Sequence, residues 1–222
     1  MLPLTPAAGG ADPLRVLALG AHCDDIEIGA GGTLARLATE RPGTEFTAVV
    51  LTSTPQRADE SEACLTALIA GAPLDVRVHD LPDTRLPSHY DQVKDLLAEL
   101  SREPWDMVLT HHGSDAHQDH RLLGTYAPTA FRDHLVLQFE IPKWDGDLGA
   151  SRPNLYVPLS PTQMRAKWEV LDTHYPSQRG KDWWSYETFA ALARLRGMEC
   201  RAPYAEAFRV DKAVLSLREA IA

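Results

Sequence analysis

Met107-Val108-Leu109-Thr110-His111-His112-Gly113-Ser114-Asp115-Ala116-His117-Gln118-Asp119-His120-Arg121 decides how this chain is read. Its first four residues are an apolar run of the length of a buried strand. The eleven that follow hold four of the nine histidines and two aspartates. Imidazoles and carboxylates packed this closely are costly unless protons, hydrogen bonds or a metal ion organise them. A polar cluster at the carboxyl end of a strand is where an open α/β sheet places its active site. A solvated His-rich loop would explain two neighbouring histidines. It does not explain a second cluster of the same kind, Ala21-His22-Cys23-Asp24-Asp25, which follows another apolar run, Leu14 to Leu19.

Outward from these two clusters the chain alternates. Apolar runs at 14–19, 46–51, 76–78, 107–110 and 136–139 predict strands. Between them, 33–38, 60–69, 90–100 and 121–131 carry helical spacing or good helix formers. Gly29 to Gly32 is read as a glycine-rich turn, and Pro42-Gly43 closes the first helix. Further on, helices are expected from Pro161 to about Asp172 and from Trp183 to Arg196, with an edge strand at 207–210. The Pro-, Gly- and Asp-rich stretch from Pro142 to Pro161 is too long for a simple connector and reads as a binding loop or lid. Alternating strands and helices predict a Rossmann-like α/β fold, with a mostly parallel sheet covered by helices on both faces. At 222 residues the chain is sized for a single domain. We place that domain at 13–222, behind a loose tail at 1–12 that lacks the pattern of a signal peptide.

Composition removes several classes of function. The net charge of −9 argues against a nucleic-acid binder. No apolar run approaches the roughly 20 residues needed for membrane insertion. The three widely spaced cysteines suggest no disulfide framework, which fits a cytoplasmic protein.

Chemically, a histidine and an aspartate three residues apart on a turn can point at one ion, with a further ligand from the cluster after the fourth strand. Two histidines and a carboxylate with an open fourth position form a common catalytic zinc arrangement. Imidazole nitrogen equally suits Fe²⁺ or Co²⁺. The weaker readings are a nucleotide-binding Rossmann module and a metal-storing protein. For the first, the glycines at 29, 31 and 32 do not match G-x-G-x-x-G after a strand. For the second, a closed site would need four ligands where only three stand out.

Ala21-His22-Cys23-Asp24-Asp25 resembles the AHxDD motif of the PIG-L/LmbE family of zinc-dependent N-deacetylases. His117-Gln118-Asp119-His120 resembles that family's second motif, HxDH. The resemblance implies one divalent metal ion, Zn²⁺ first among the candidates, held by His22, Asp25 and His120. It implies Asp24 as general base, and His117 as the group that stabilises the transition state or protonates the leaving amine, with Asp119 as its partner. The chain departs from the family in three ways. Cys23 stands where proline is usual, and we expect it to be a bystander. Asp115 stands near the place of a tyrosine found in some members. His111 and His112 are surplus, and supporting hydrogen bonds are the expected role for both.

Around this centre, Arg57 in an R-x-x-E step, Asp83 after the third strand and Trp144 in the long loop are the substrate-binding candidates. A surface ion pair, a turn-forming aspartate and core packing are the plain alternatives. Lys143, Asp145 and Asp147 neighbour Trp144, and Glu140 could support the metal. Trp168 is expected in the core. The resemblance therefore implies a hydrolase that removes an N-acetyl group from a small-molecule amino sugar or glycoside. The alternative is an amidase acting on a thiol conjugate or another small N-acyl metabolite. Homo-oligomerisation is left open.

Overall fold

Val16 and Ala18 face one side of β1 (Arg15–His22), Leu17 and Leu19 the other, and all four are buried. A strand buried on both faces must be covered by helices on both, which is the condition of a parallel sheet. The structure, a computed structural model, describes residues 13–143 and 152–214. Trp144, Asp145, Asp147 and the expected tail at 1–12 lie outside the described residues.

After β1 come α1 (Asp25–Glu40), β2 (Glu45–Thr52), α2 (Pro55–Leu68), β3 (Leu74–Leu81), α3 (Tyr90–Leu100), β4 (Met107–His111), α4 (Gln118–Ala130) and β5 (Leu135–Phe139). They are followed by β6 (Leu155–Leu159), α5 (Pro161–His174), α6 (Tyr186–Cys200) and β7 (Tyr204–Arg209). The strands form one sheet in the order β3-β2-β1-β4-β5-β7-β6. The first five in that order are parallel, and β7 runs antiparallel to both of its neighbours. This is a single α/β domain of the Rossmann-like kind. One core packs Ile26, Leu34, Leu65, Met164, Leu171 and Phe189, from α1, α2, α5 and α6, on one face of the sheet. On the other face Val93, Leu97 and Leu123 bring α3 and α4 down.

Three expectations need correction. Gly29 to Gly32 is not a turn but the interior of α1. A Cβ on Gly29 would lie 2.4 Å from the Phe139 ring, and one on Gly32 would lie 2.8 Å from Leu159. These glycines let the helix approach the sheet closely, and that packing overrides their weak helix propensity. The stretch 142–161 contains a strand, β6, which the sequence pattern does not reveal because it is short and carries Pro158. Proline is tolerated there because β6 is the sheet's edge. The strand expected at the edge, β7, is consequently interior.

Helix starts follow local chemistry. The Thr54 side chain caps α2 ahead of Pro55, and Ser160 with Gln163 forms a capping box on α5. Trp168 packs with Trp184, Tyr186 and Phe189, as expected of a core residue. Among the described residues no helix is long and apolar enough to cross a membrane.

Candidate metal centre

β1 and β4 are neighbours, yet the chain visits β2 and β3 on one side before returning to the other. The loops leaving their carboxyl ends therefore diverge and open a crevice at the topological switch point. His22 ends β1 and His111 ends β4, so both histidine clusters open into that crevice.

The first loop is tight. Thr52 Oγ1 donates to the Ala21 carbonyl at 2.8 Å, and the Arg57 guanidinium donates to the Cys23 carbonyl. Asp24 takes a left-handed conformation at φ 102°, and α1 begins at the next residue. That backbone is unfavourable for a residue with a Cβ, and such outliers cluster at functional sites. It lets the neighbouring carboxylates diverge. Asp24 meets Arg57 at 2.9 Å, while Asp25 Oδ2 accepts the His22 backbone N–H at 2.7 Å.

The second loop is set by Asp115. One of its oxygens accepts the His117 N–H at 2.7 Å, and the other faces His120 Nδ1 at 2.9 Å. His117 caps α4, which starts three residues earlier than the apolar spacing predicts, so Asp119 and His120 lie in its first turn. Gly124, one turn on, lets α4 lie against the loop: a Cβ there would be 2.2 Å from the His112 carbonyl carbon.

Together the loops make a nearly equilateral triangle of ligand atoms. His22 Nδ1 lies 3.2 Å from Asp25 Oδ2 and 3.1 Å from His120 Nε2, and those two atoms are 3.3 Å apart. Tetrahedral zinc with bonds of about 2.0–2.1 Å places its ligand atoms roughly 3.3–3.4 Å from one another. The donor set thus fits a divalent ion. Alternative trios also converge, namely His22, His117 and His120; Asp25, His111 and His120; and His22, Asp83 and Asp119. In the first triangle each outer histidine nitrogen is matched to a carboxylate. His120 Nδ1 faces Asp115, and His22 Nε2 faces Asp83 at 3.0 Å and Asp119 at 3.2 Å. Such partners fix the ring and tautomer of a metal-binding histidine.

The protonation pattern reports the same crowding. Burial would push Asp25 up, but His120, His111 and His22 hold it well below the usual carboxylate range. Burial would likewise lower His22 and His120, yet Asp25 and the other carboxylates raise His22 well above its ordinary value and His120 to about 9. Asp24 behaves oppositely. Burial raises it to about 6 against the pull of Arg57.

The remaining candidates fall into place unevenly. His111 is fully buried, stacked at 3.9 Å on the His120 ring, with Nε2 3.1 Å from Asp25 Oδ2. His112 is buried and accepts the Ser114 N–H, a loop-supporting bond. The Cys23 thiol is buried and points to Ser53 Oγ at 3.3 Å, and burial pushes its pKa up to about 11, which suits a bystander. Asp119 does not pair with His117 through its carboxylate. That carboxylate serves His22 and the Leu86 N–H, while the Asp119 backbone N–H donates to His117 Nδ1 at 3.3 Å. Burial and the neighbouring His120 and His22 lower the His117 pKa. Glu140 is held by Arg196 at 2.5 Å. Asp115 is the residue that sequence reasoning undervalued, and its signal was its place two residues before His117 and five before His120.

A Rossmann-like sheet carries at its switch point a cluster of histidines and aspartates that could hold a metal ion. Residues 17–131 match the family described as PIG-L: GlcNAc-PI de-N-acetylase, so the chain belongs to the PIG-L family. An uncharacterized deacetylase, YaiS of Escherichia coli K12, is 36% identical over 139 residues, covering 57% of this chain and 74% of that protein. N,N'-diacetylchitobiose deacetylase from Pyrococcus horikoshii superimposes with a TM-score of 0.69 at 21% identity, over 91% of this chain and 85% of its own. GalB, the 4-carboxy-2-hydroxymuconate hydratase of Pseudomonas putida KT2440, does so at 0.71 and 17% identity, over 93% and 99%. A deacetylase and a hydratase share this fold, so the reaction must be argued from the site.

Proposed function

We propose that the protein is a zinc-dependent N-deacetylase that removes the acetyl group from an amino sugar or its glycoside. The observation that carries this is the His22–Asp25–His120 triangle, with edges of 3.1–3.3 Å, beside the buried and separately oriented carboxylate of Asp24. A divalent ion held there supplies Lewis acidity, which polarises the acyl carbonyl and acidifies water. Membership in a family described by de-N-acetylation supports the choice of an amide over other electrophiles.

In this reading Asp24 takes the proton of the attacking water. A carboxylate lifted toward neutrality by burial is a better proton acceptor than an ordinary one. His117 accepts the Asp119 N–H at Nδ1, so the proton of its neutral ring sits on Nε2. From there it can donate a hydrogen bond to the oxygen that gains negative charge, while the proton that Asp24 took from the water passes to the departing amine. Asp115, Asp119 and Asp83 keep the two ligand histidines turned inward. Asp83 is also 70% exposed at the crevice rim, where its carboxylate would meet a sugar hydroxyl. Trp144 remains the candidate for stacking on the sugar ring. With three free thiols the enzyme fits a reducing cytoplasm.

The deciding experiment is acetate release from N,N'-diacetylchitobiose and simpler N-acetylglucosamine glycosides, with and without a chelator. Release that chelation abolishes and Zn²⁺ restores is the expected result. Turnover that survives complete chelation would overturn the metal-hydrolase reading. Thiol conjugates or N-acyl peptides turned over faster than every amino sugar would move the assignment to an amidase of small N-acyl metabolites.

A further inference from the structure

The net charge of −9 is not spread evenly over the molecule. Positive groups gather on the Asp24 side of the crevice. The connection between α5 and α6 stands there against α2: Ser177 donates its N–H and hydroxyl to Glu60, and the Tyr175 ring centre lies 5.3 Å from the Arg57 guanidinium. Further along the same connection are Lys181 and Trp183, and Lys143 reaches them from just past the carboxyl end of β5. The Lys143 ammonium sits 5.0 Å from the centre of the Trp183 ring and the Lys181 ammonium 5.9 Å, both cation–π distances. The partly exposed ring is itself held by Trp184 at 5.3 Å and Phe189 at 6.3 Å. Lys181 Nζ donates to Oε1 of the buried Gln178 at 2.6 Å, which spends one of the three protons an ammonium can give. Partial burial and the charges of Arg57 and Lys143 lower the Lys181 pKa, against the pull of Asp24 and Glu60. Like charges drawn together at an aromatic surface are costly until a counter-charge joins them.

We propose that Lys143, Lys181 and Trp183 form a subsite for a negatively charged substituent, a phosphate or a carboxylate, so that the preferred substrate is an anionic N-acetylated sugar and not a neutral one. The proposal rests on the deacetylase reading of the metal centre. An ammonium is a compact point charge that donates to phosphate or carboxylate oxygens, and the indole face beside it takes the apolar face of a sugar ring. A chain of net negative charge repels an anionic ligand at a distance, so a local basic patch is needed to admit one. The patch is also one-sided. Trp184 and Phe189 belong to the core of the α5/α6 face, while the loop of Asp83 runs into Leu86 in the core of the α3/α4 face. The crevice is thus basic on one side and acidic on the other, which gives an anionic substrate one orientation over the metal centre.

The test uses the full chain, loaded with Zn²⁺. N-acetylglucosamine 6-phosphate and N-acetylmuramic acid carry the two kinds of anion, and N,N'-diacetylchitobiose is the neutral reference. At least one anionic sugar should exceed the neutral one in kcat/KM by roughly 10-fold. Both lysines are exposed, so their replacement does not threaten the fold. Lys181→Met and Lys143→Met should each cost about 10-fold more on the anionic sugar than on diacetylchitobiose, and the difference should shrink as salt rises. Lys181→Glu should reverse the preference. Equal losses on both substrates, or a wild-type enzyme that favours the neutral sugar over both anionic ones, would overturn the proposal. Calorimetry with the amine products, glucosamine 6-phosphate and muramic acid, needs no turnover. Lys181→Met should weaken binding of the anionic amine by roughly 10-fold. Affinity that survives both lysine changes would place the anion on the metal and would also sink the proposal. Wild-type enzyme inactive on every N-acetylated sugar would instead count against the proposed function, and the binding arm would still decide the subsite.

Discussion

Asp115 Oδ2 lies 2.9 Å from His120 Nδ1, and this contact turns the opposite nitrogen of the ring to within 3.1 Å of His22 Nδ1. The same carboxylate fixes the His117 N–H through its other oxygen. One aspartate therefore orients a proposed ligand and the residue that caps its helix. Asp115→Asn should lower zinc affinity by about 10- to 100-fold, with the fold intact. A competition assay against a chelator measures this. Unchanged affinity would mean that α4 orients His120 without help.

The neighbouring carboxylates of the first loop should separate by function. Asp25→Ala should strip the metal, because it removes a vertex of the triangle. Asp24→Ala should retain the metal and lose roughly 100- to 10,000-fold in kcat, the range of a general base. Elemental analysis and acetate release on both variants check this. If Asp24→Ala lost the metal and Asp25→Ala kept it, the roles would be exchanged.

Much of this arrangement can be read from residue order alone, for a physical reason. Strands buried on both faces show as uninterrupted apolar runs, and an α/β sheet puts reactive side chains just past their ends, so the two His/Asp clusters stand out, and the family resemblance singles out His22, Asp25 and His120 within them. What stays hidden depends on contacts between distant segments. Asp119 faces His22 because the two loops meet across 97 residues, and Arg57 turns to Asp24 across 33. The glycines of α1 look like a turn because their use, close approach to Phe139 and Leu159, exists only in the packed molecule. β6 is hidden by its length and its proline.

The strained turn gives a prediction about stability. Asp24 holds φ at 102°, where a Cβ costs about 1–2 kcal/mol and glycine pays almost nothing. Asp24→Gly and Asp24→Ala should be equally inactive, but the glycine variant should be more stable by about 1 kcal/mol. Urea denaturation of the two would show this as a difference in midpoint at equal slope. Equal midpoints would mean that the turn relaxes once the carboxylate is gone.

A last prediction concerns the support of α1, on which the first loop stands. Glu206, on β7, accepts the N–H groups of Gly32 and Thr33 at 2.7 and 2.6 Å, and Lys167, on α5, donates to the Ile28 carbonyl and to Glu206, both at 2.6 Å. A buried ion pair thus contacts backbone groups of α1 in mid-helix, where the glycines bring the helix close to the sheet. Removing one partner of such a pair leaves the other charge buried and unpaired, at a cost of about 3–5 kcal/mol. Lys167→Met and Glu206→Gln should each lower stability by that order. Replacing both together should cost less than the sum, because neither charge is then stranded, although the α1 groups still lose partners. Chemical denaturation of the singles and the double measures the coupling. Additive losses would show that each residue is held by its backbone contacts on α1 and not by its partner.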